Sequence, residues 1–342
     1  MWQPLVELIG DAKTIYLSPD GFLCELPFDT LPGKDKTYLL EKHVFHYLND
    51  ASGLTQERSE APTSAGDEGP VFLVGGVNYF RRENSSADTA AEASSSAINR
   101  GTVQRRRMGG NWSSLPATRE ELQTLRDLHE YVLEWSAPIT VLEGKEASEE
   151  RVRKQILGKK YVHLATHGYF EPDNLPSLLA DAAAHNQDSD LHQQYRAVGM
   201  LPGLLSGLVF AGVNSDDYTG DDGYLSAEEI QHLDLSACEL VVLSACETAL
   251  GSARSGEGLM SLRRAFSVAG ANSVVSSLWK VDDRATAELI KEFYTNLWQR
   301  QMPRAEALHQ AKLSLLRQNR AENNGDALPS TWGAFVLSGD WR

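Results

Sequence analysis

Tyr161-Val162-His163-Leu164-Ala165-Thr166-His167-Gly168 and Leu240-Val241-Val242-Leu243-Ser244-Ala245-Cys246-Glu247-Thr248 are written alike. Each starts as a short apolar run, the pattern of a strand buried on both faces. Each then ends in a polar, reactive side chain followed by turn-type sequence. The same grammar continues on both sides. Val71–Val77, Ile139–Leu142, Ser206–Ala211 and Ser273–Trp279 read as further strands, and Trp332–Leu337 as a last one. Thr118–Glu134, Ser148–Leu157, Gly258–Val268 and Asp283–Gln301 read as helices, Leu225–Gln231 starts another, and one more begins at Pro303. Strand–helix alternation of this kind predicts an α/β fold: a largely parallel sheet covered by helices on both faces.

Nearer the N-terminus, Thr14–Leu17 and Phe22–Leu26 flank the turn Pro19-Asp20-Gly21, which predicts a hairpin. Residues 51–69 read as a linker. From Asn84 to Ser96 the chain is almost all Ala, Ser, Asp and Glu, and Arg105-Arg106-Arg107 follows. So few apolar residues cannot offset their ordering entropy, so 81–114 is expected to be a mobile loop. Thr118, with Glu121 three residues on, has the spacing of a capping box at a helix start.

The chain has 342 residues, of which 42% are hydrophobic and 23% charged. At roughly 150 residues per domain this is about two domains, with ample material for a core. The charge balance, 32 basic against 47 acidic residues, is −15. That argues against nucleic-acid or anionic-membrane binding, since either needs a basic face to displace counterions. Three cysteines, Cys24, Cys238 and Cys246, are too few for a secreted disulfide scaffold, and none has zinc-site spacing. Met1-Trp2-Gln3-Pro4 lacks the look of a signal peptide, and the apolar stretch near Leu201–Val213 is too short to span a bilayer. The expectation is a reduced, cytoplasmic, soluble protein with no metal and no cofactor.

In open α/β sheets, reactive groups gather where the strands end. If the two opening strands are parallel neighbours, His167 and Cys246 meet at one edge. A free thiol has a pKa of roughly 8.5 and needs a base to become the nucleophilic thiolate. An imidazole can take its proton and later protonate a leaving amine. The backbone N–H groups of Gly168 and Cys246 are the natural oxyanion-hole donors. A lone cysteine on a strand is more often just a small hydrophobe; the His167-Gly168 pair at an equivalent strand end is what gives Cys246 weight. His163 is a rival imidazole, but its place inside the strand suits core packing better. Other motifs fail. There is no GxSxG. Gly251 to Glu257 has the glycine spacing of a phosphate loop but ends in Glu257, which repels phosphate. Asp221-Asp222-Gly223 has the start of a calcium loop without its later ligands, and reads as a turn.

Taken together, these segments resemble the CHAT family of caspase-like peptidase domains, often fused to TPR repeats. The resemblance is carried by Ser18-Pro19-Asp20-Gly21, Leu26-Pro27-Phe28, His163 to Gly168, Ser206-Gly207-Leu208 and Asp222 to Ile230. It continues through Leu243 to Thr248, Gly256-Glu257-Gly258-Leu259, Arg264-Ala265-Phe266, Ser277-Leu278-Trp279 and Trp332-Gly333-Ala334-Phe335. It implies a caspase/separase-like fold, with a degenerate N-terminal half over residues 1–60 and a peptidase half over 70–342. It also implies a cysteine peptidase with His167 as general base and Cys246 as nucleophile, acting on a protein substrate. No TPR segment is visible, so the chain reads as a peptidase portion of a longer protein, or as one that works with a TPR-containing or other protein activator. The alternative is a catalytically silent CHAT scaffold for protein–protein recognition.

Residues two apart on a strand share a face. Ala165 and Ser244 are therefore expected beside the dyad, walling the pocket for the residue before the scissile bond. Asp282 and Asp283 would favour Arg or Lys there, and Arg81 and Arg82 would favour Asp or Glu. The acidic balance tips the expectation slightly towards a basic residue. The Arg105–Arg107 run is a candidate self-cleavage or activator-docking site.

Overall fold

The computed structural model of the chain describes residues 5, 9–19, 23, 26–33, 37–48, 69–80, 112–132, 137–170, 202–204, 206–214, 222–244, 255–279 and 281–342, with backbone only at 132, 170, 202, 255–261 and 283. Eight strands form one sheet: β1 (Thr14–Leu17), β2 (Val44–Tyr47), β3 (Val71–Val77), β4 (Ile139–Gly144), β5 (Tyr161–Leu164), β9 (Leu240–Leu243), β10 (Ser273–Ser277) and β11 (Phe335–Gly339). Their order is β1-β2-β11-β10-β9-β5-β3-β4. Every neighbouring pair is parallel except β10–β11. A second, antiparallel sheet has the order β6-β7-β8, from β6 (Gly168–Phe170), β7 (Ser206–Val209) and β8 (Tyr224–Ser226).

Period-two alternation sorts the central strands onto two faces. Phe72, Val74, Val162, Leu164, Val241 and Leu243 pack on one side with α2 (Glu149–Gln155) and α4 (Ser255–Val268), through Val152, Leu262 and Phe266. Val71, Leu73, Leu240, Val242 and Val275 pack on the other with α1 (Pro116–Val132), α5 (Asp283–Tyr294) and α6 (Arg304–Glu322), through Leu122, Leu125, Leu289, Phe293 and Leu308. The remaining helices are the short α3 (Ala227–Ile230) and α7 (Pro329–Trp332). The fold class expected from the sequence is the one found. No described helix is long and apolar enough to cross a membrane.

Several local expectations change. β1 pairs with β2 in parallel; of the second strand of the expected hairpin only Leu23 and Leu26 are described, and the turn and the rest of that strand lie outside the described residues. β1 and β2 extend the main sheet through the Tyr47–Ser338 pairing. Residues 206–209 form a strand, but in the second sheet. Residues 224–226 are the strand β8, ahead of α3, where Ser226 is the N-cap and makes a capping box with Glu229. α5 ends at Tyr294 and continues as a wide π-type turn over Thr295–Gln299. α1 begins at Pro116, so Thr118 is inside the helix. Its hydroxyl donates to the Leu115 carbonyl and accepts the Gly76 N–H. Gly76, at φ +53°, sits in the bulge of β3, a conformation that favours glycine. Residues 51–68 of the expected linker and 81–111 of the expected mobile loop lie outside the described residues.

Candidate active site

The site is built where β5 and β9 end side by side. Leu164 is registered with Leu243, and the Ser244 N–H donates to the Leu164 carbonyl at 3.0 Å. His167 lies three residues past Leu164, and Cys246 three past Leu243. The structure thus makes the two strands parallel neighbours, as the sequence reading required. Cys246 itself lies outside the described residues, as do Arg81, Arg82 and Arg105–Arg107.

The His167 side chain is fully buried. Its ring sits between Tyr79 and Trp112, each with its centroid 5.0 Å away. Nε2 lies 2.7 Å from the Ser113 carbonyl oxygen. A carbonyl can only accept, so Nε2 carries the hydrogen and, in the neutral ring, Nδ1 is the basic nitrogen. The Ser113 carbonyl is fixed in turn. Asn214 grips the backbone of Trp112 at both ends, Oδ1 accepting its N–H at 2.9 Å and Nδ2 donating to its carbonyl at 2.8 Å. The Trp112 indole N–H reaches Tyr224 Oη at 3.2 Å. Residues 112–114, counted in the mobile loop by sequence, therefore begin with an anchored residue. Tyr79 is held by the Thr166 hydroxyl, 3.0 Å from its phenol oxygen, and Thr166 donates onward to the Val209 carbonyl.

Gly168 opens β6, opposite Leu208. The Val209 N–H donates to the His167 carbonyl at 2.9 Å, which makes that pair the hydrogen-bonded one. In an antiparallel ladder the next pair is non-bonded. The Gly168 N–H therefore points off the ladder, away from β7.

The remaining sequence candidates are placed as follows. Ala165 is fully buried. Ser244 is buried and its hydroxyl donates to Glu121 Oε2 at 3.0 Å. Asp282 follows β10, which runs parallel to β9, and its carboxylate caps α5 by accepting the Arg284 and Ala285 N–H groups. The side chain of Asp283 is outside the described residues. His163 is a core histidine, buried against Glu121 and Tyr294. Asp222 accepts the Tyr224 N–H at 2.9 Å, the local bond of a turn. Cys238 is buried, and desolvation pushes its thiol up to about 12, so it stays protonated and inert. Beside the site, an open groove of about 690 Å³ runs past Gly76, Asn78, Phe80, Ser114, Arg119 and Lys145.

Sequence reasoning missed Trp112, Ser113, Asn214 and Glu121. Glu121 did leave a signal: Thr118, Glu121, Leu122 and Leu125 follow helical spacing along the buried face of α1. A carboxylate in phase with such a stripe must have a buried partner. Ser113 left none, because it acts through a backbone carbonyl that every residue has.

Residues 1–340 match the CHAT domain family, and the chain belongs to that family. Among curated proteins it is similar to tetratricopeptide repeat protein 28 of Homo sapiens, 25% identical over 67% of this chain and 8% of that protein. The Mus musculus protein of the same name is 24% identical over 67% of this chain and 9% of its own length. The chain thus spans under a tenth of the curated relatives it matches. Among solved structures, the Saccharomyces cerevisiae separase–securin complex aligns over 92% of this chain and 14% of the matched chain, with 11% identity and a TM-score of 0.46.

Proposed function

We propose that the chain is a cysteine endopeptidase cleaving a protein substrate through Cys246 and His167. The observation that carries this reading is the hold on His167: its Nε2–H is committed to the Ser113 carbonyl, which makes Nδ1 the base, at the end of the strand beside the one that leads to Cys246. In this reading Nδ1 takes the Cys246 proton and the thiolate adds to the scissile carbonyl. The Gly168 and Cys246 N–H groups receive the oxyanion, each donor typically supplying about 3 kcal/mol. The imidazolium then protonates the departing amine, leaving a thioester on Cys246. Water, deprotonated by Nδ1, hydrolyses the thioester and restores the thiol. The products are a carboxylic acid and an amine, and no cofactor or metal takes part.

In this reading Ala165 and Ser244, which directly follow β5 and β9 and precede His167 and Cys246 by two residues, wall the site on the side nearest the sheet. Asp282 and Asp283 follow β10, which runs parallel to β9, and in this reading their acidic character biases the site towards a basic residue at the cut. A TPR-containing or other protein activator is the partner this reading expects, in the cytoplasm. The burial of His167 fits an enzyme that must open before it works. The test is a peptide-library cleavage profile of wild type, Cys246→Ala and His167→Ala, with and without a candidate activator. Cleavage by wild type alone supports the reading. Equal cleavage by wild type and Cys246→Ala removes it, and no cleavage by any of them with the activator bound favours the silent scaffold.

A further inference from the structure

We infer that Glu121 is a positioning residue: its two carboxylate oxygens tie the strand leading to His167 to the strand leading to Cys246. This rests on the Cys246–His167 reading above. Glu121 is 5% exposed, His163 0%, Ser244 4% and Tyr294 1%. Glu121 Oε1 lies 2.8 Å from His163 Nε2, in close contact rather than along a hydrogen-bond axis. Oε2 accepts the Ser244 hydroxyl at 3.0 Å. His163 belongs to β5, four residues before His167, and Ser244 follows β9, two residues before Cys246. On the far side of the imidazole, Nδ1 is 3.2 Å from Tyr294 Oη, with the two rings edge-on. Burial, and then the Glu121 charge, hold the Tyr294 phenol well above its ordinary value, so it keeps its hydrogen. A carboxylate oxygen only accepts, so the tautomer with its hydrogen on Nε2 suits this contact, with Nδ1 accepting from the Tyr294 hydroxyl; the Nε2–Oε1 contact is a close polar one and not a hydrogen bond.

The placement is what separates this cluster from ordinary core packing. A carboxylate buried at this depth is costly, and apolar side chains of similar volume are often at least as stabilising. This one stands where the backbone ladder between β5 and β9 runs out, just past the Ser244-to-Leu164 bond. It adds a side-chain tie at that point. Its helix, α1, starts three residues after Ser113, whose carbonyl holds His167. One helix therefore carries the side chain that touches both strand ends and begins close in sequence to the base's partner.

The experiment follows alkylation of Cys246 by iodoacetamide in the full chain against pH, read by mass spectrometry. For wild type, a midpoint below the ordinary value of roughly 8.5 is expected. Glu121→Gln keeps the volume and removes the charge. Removing a negative charge by itself would ease thiolate formation and lower the midpoint. Loss of alignment does the opposite: the midpoint rises by about one unit and the rate at pH 7 falls roughly tenfold. In a His167→Ala background the same substitution changes nothing further, because Glu121 acts through the dyad. An unmoved or lowered midpoint in Glu121→Gln overturns the inference, as does an equal loss in both backgrounds. If Glu121→Gln does not fold, Ser244→Ala deletes one of the two ties and is expected to shift the midpoint the same way by less; no shift there overturns the inference too. A wild-type Cys246 that titrates as an ordinary thiol, indifferent to His167→Ala, is a different failure. It removes the peptidase reading, and the positioning role falls with it.

Discussion

The Ser113 carbonyl oxygen lies 2.7 Å from His167 Nε2 and so determines which nitrogen of that ring is basic. In the proposed mechanism this backbone atom takes the part a carboxylate plays in a catalytic triad, and its position depends on the residue before it. Asn214 is buried and bonds the Trp112 backbone twice. Asn214→Ala is predicted to free that backbone and let the carbonyl drift. Misplacement of about 1 Å costs roughly 100-fold in rate, so a 10- to 100-fold fall in kcat is expected, with KM little changed. The stability loss should be modest, about 1–3 kcal/mol for two lost bonds. Steady-state kinetics beside a denaturant titration check both parts.

The pattern of the main sheet was largely legible because its central strands are mostly apolar and bounded by turn residues, while the short β2, Val44–Tyr47, with His46 inside it, was not read as a strand. Leu240–Leu243 and Tyr161–Leu164 could be read as buried parallel strands for that reason alone. The second sheet was not legible, because β6 and β8 have only three residues each and three residues show no period. The dyad candidates came from their strand ends. Their support did not. Thr118 and Glu121 match a capping box in spacing, yet tertiary contacts claim both: Thr118 binds Gly76, and Glu121 turns inward to His163 and Ser244. Local spacing cannot tell a cap from a buried tie when the partner is far along the chain.

The N-terminal region is locked to the rest by a buried ion pair. Lys312 Nζ donates to Asp29 Oδ2 and, at 2.9 Å, to the Phe335 carbonyl. The two side chains are 3% and 7% exposed. Lys312→Met leaves the Asp29 carboxylate buried without its cation and is predicted to cost about 3–5 kcal/mol. Adding Asp29→Leu should recover most of that loss. Urea unfolding of the single and double variants measures it; a double variant no more stable than Lys312→Met contradicts the account.

His46 gives stability a pH dependence. Its ring lies between Tyr16 and Trp341, and burial pulls its pKa down to about 4. As pH falls from the ordinary histidine value of about 6.5, the unfolded chain takes up this proton before the folded one does. The contribution is therefore whole above pH 6.5 and lost between there and pH 4. Tm is predicted to fall across that window, and His46→Phe, which keeps the ring stack, should flatten the slope. His129 and His309, also lowered by burial, leave a residual slope. An identical slope in wild type and His46→Phe contradicts the assignment.

Cys246 is proposed to be a base-activated nucleophile, and labelling by a peptidyl acyloxymethyl ketone, a probe that needs both a thiolate and a peptide site, tests this. Cys238 is no competitor, since burial holds its thiol at about 12. The predicted result is stoichiometric modification of Cys246 at neutral pH, faster than any exposed thiol and abolished in His167→Ala. Labelling of Cys246 no faster than an exposed thiol, or unaffected by His167→Ala, would contradict the account.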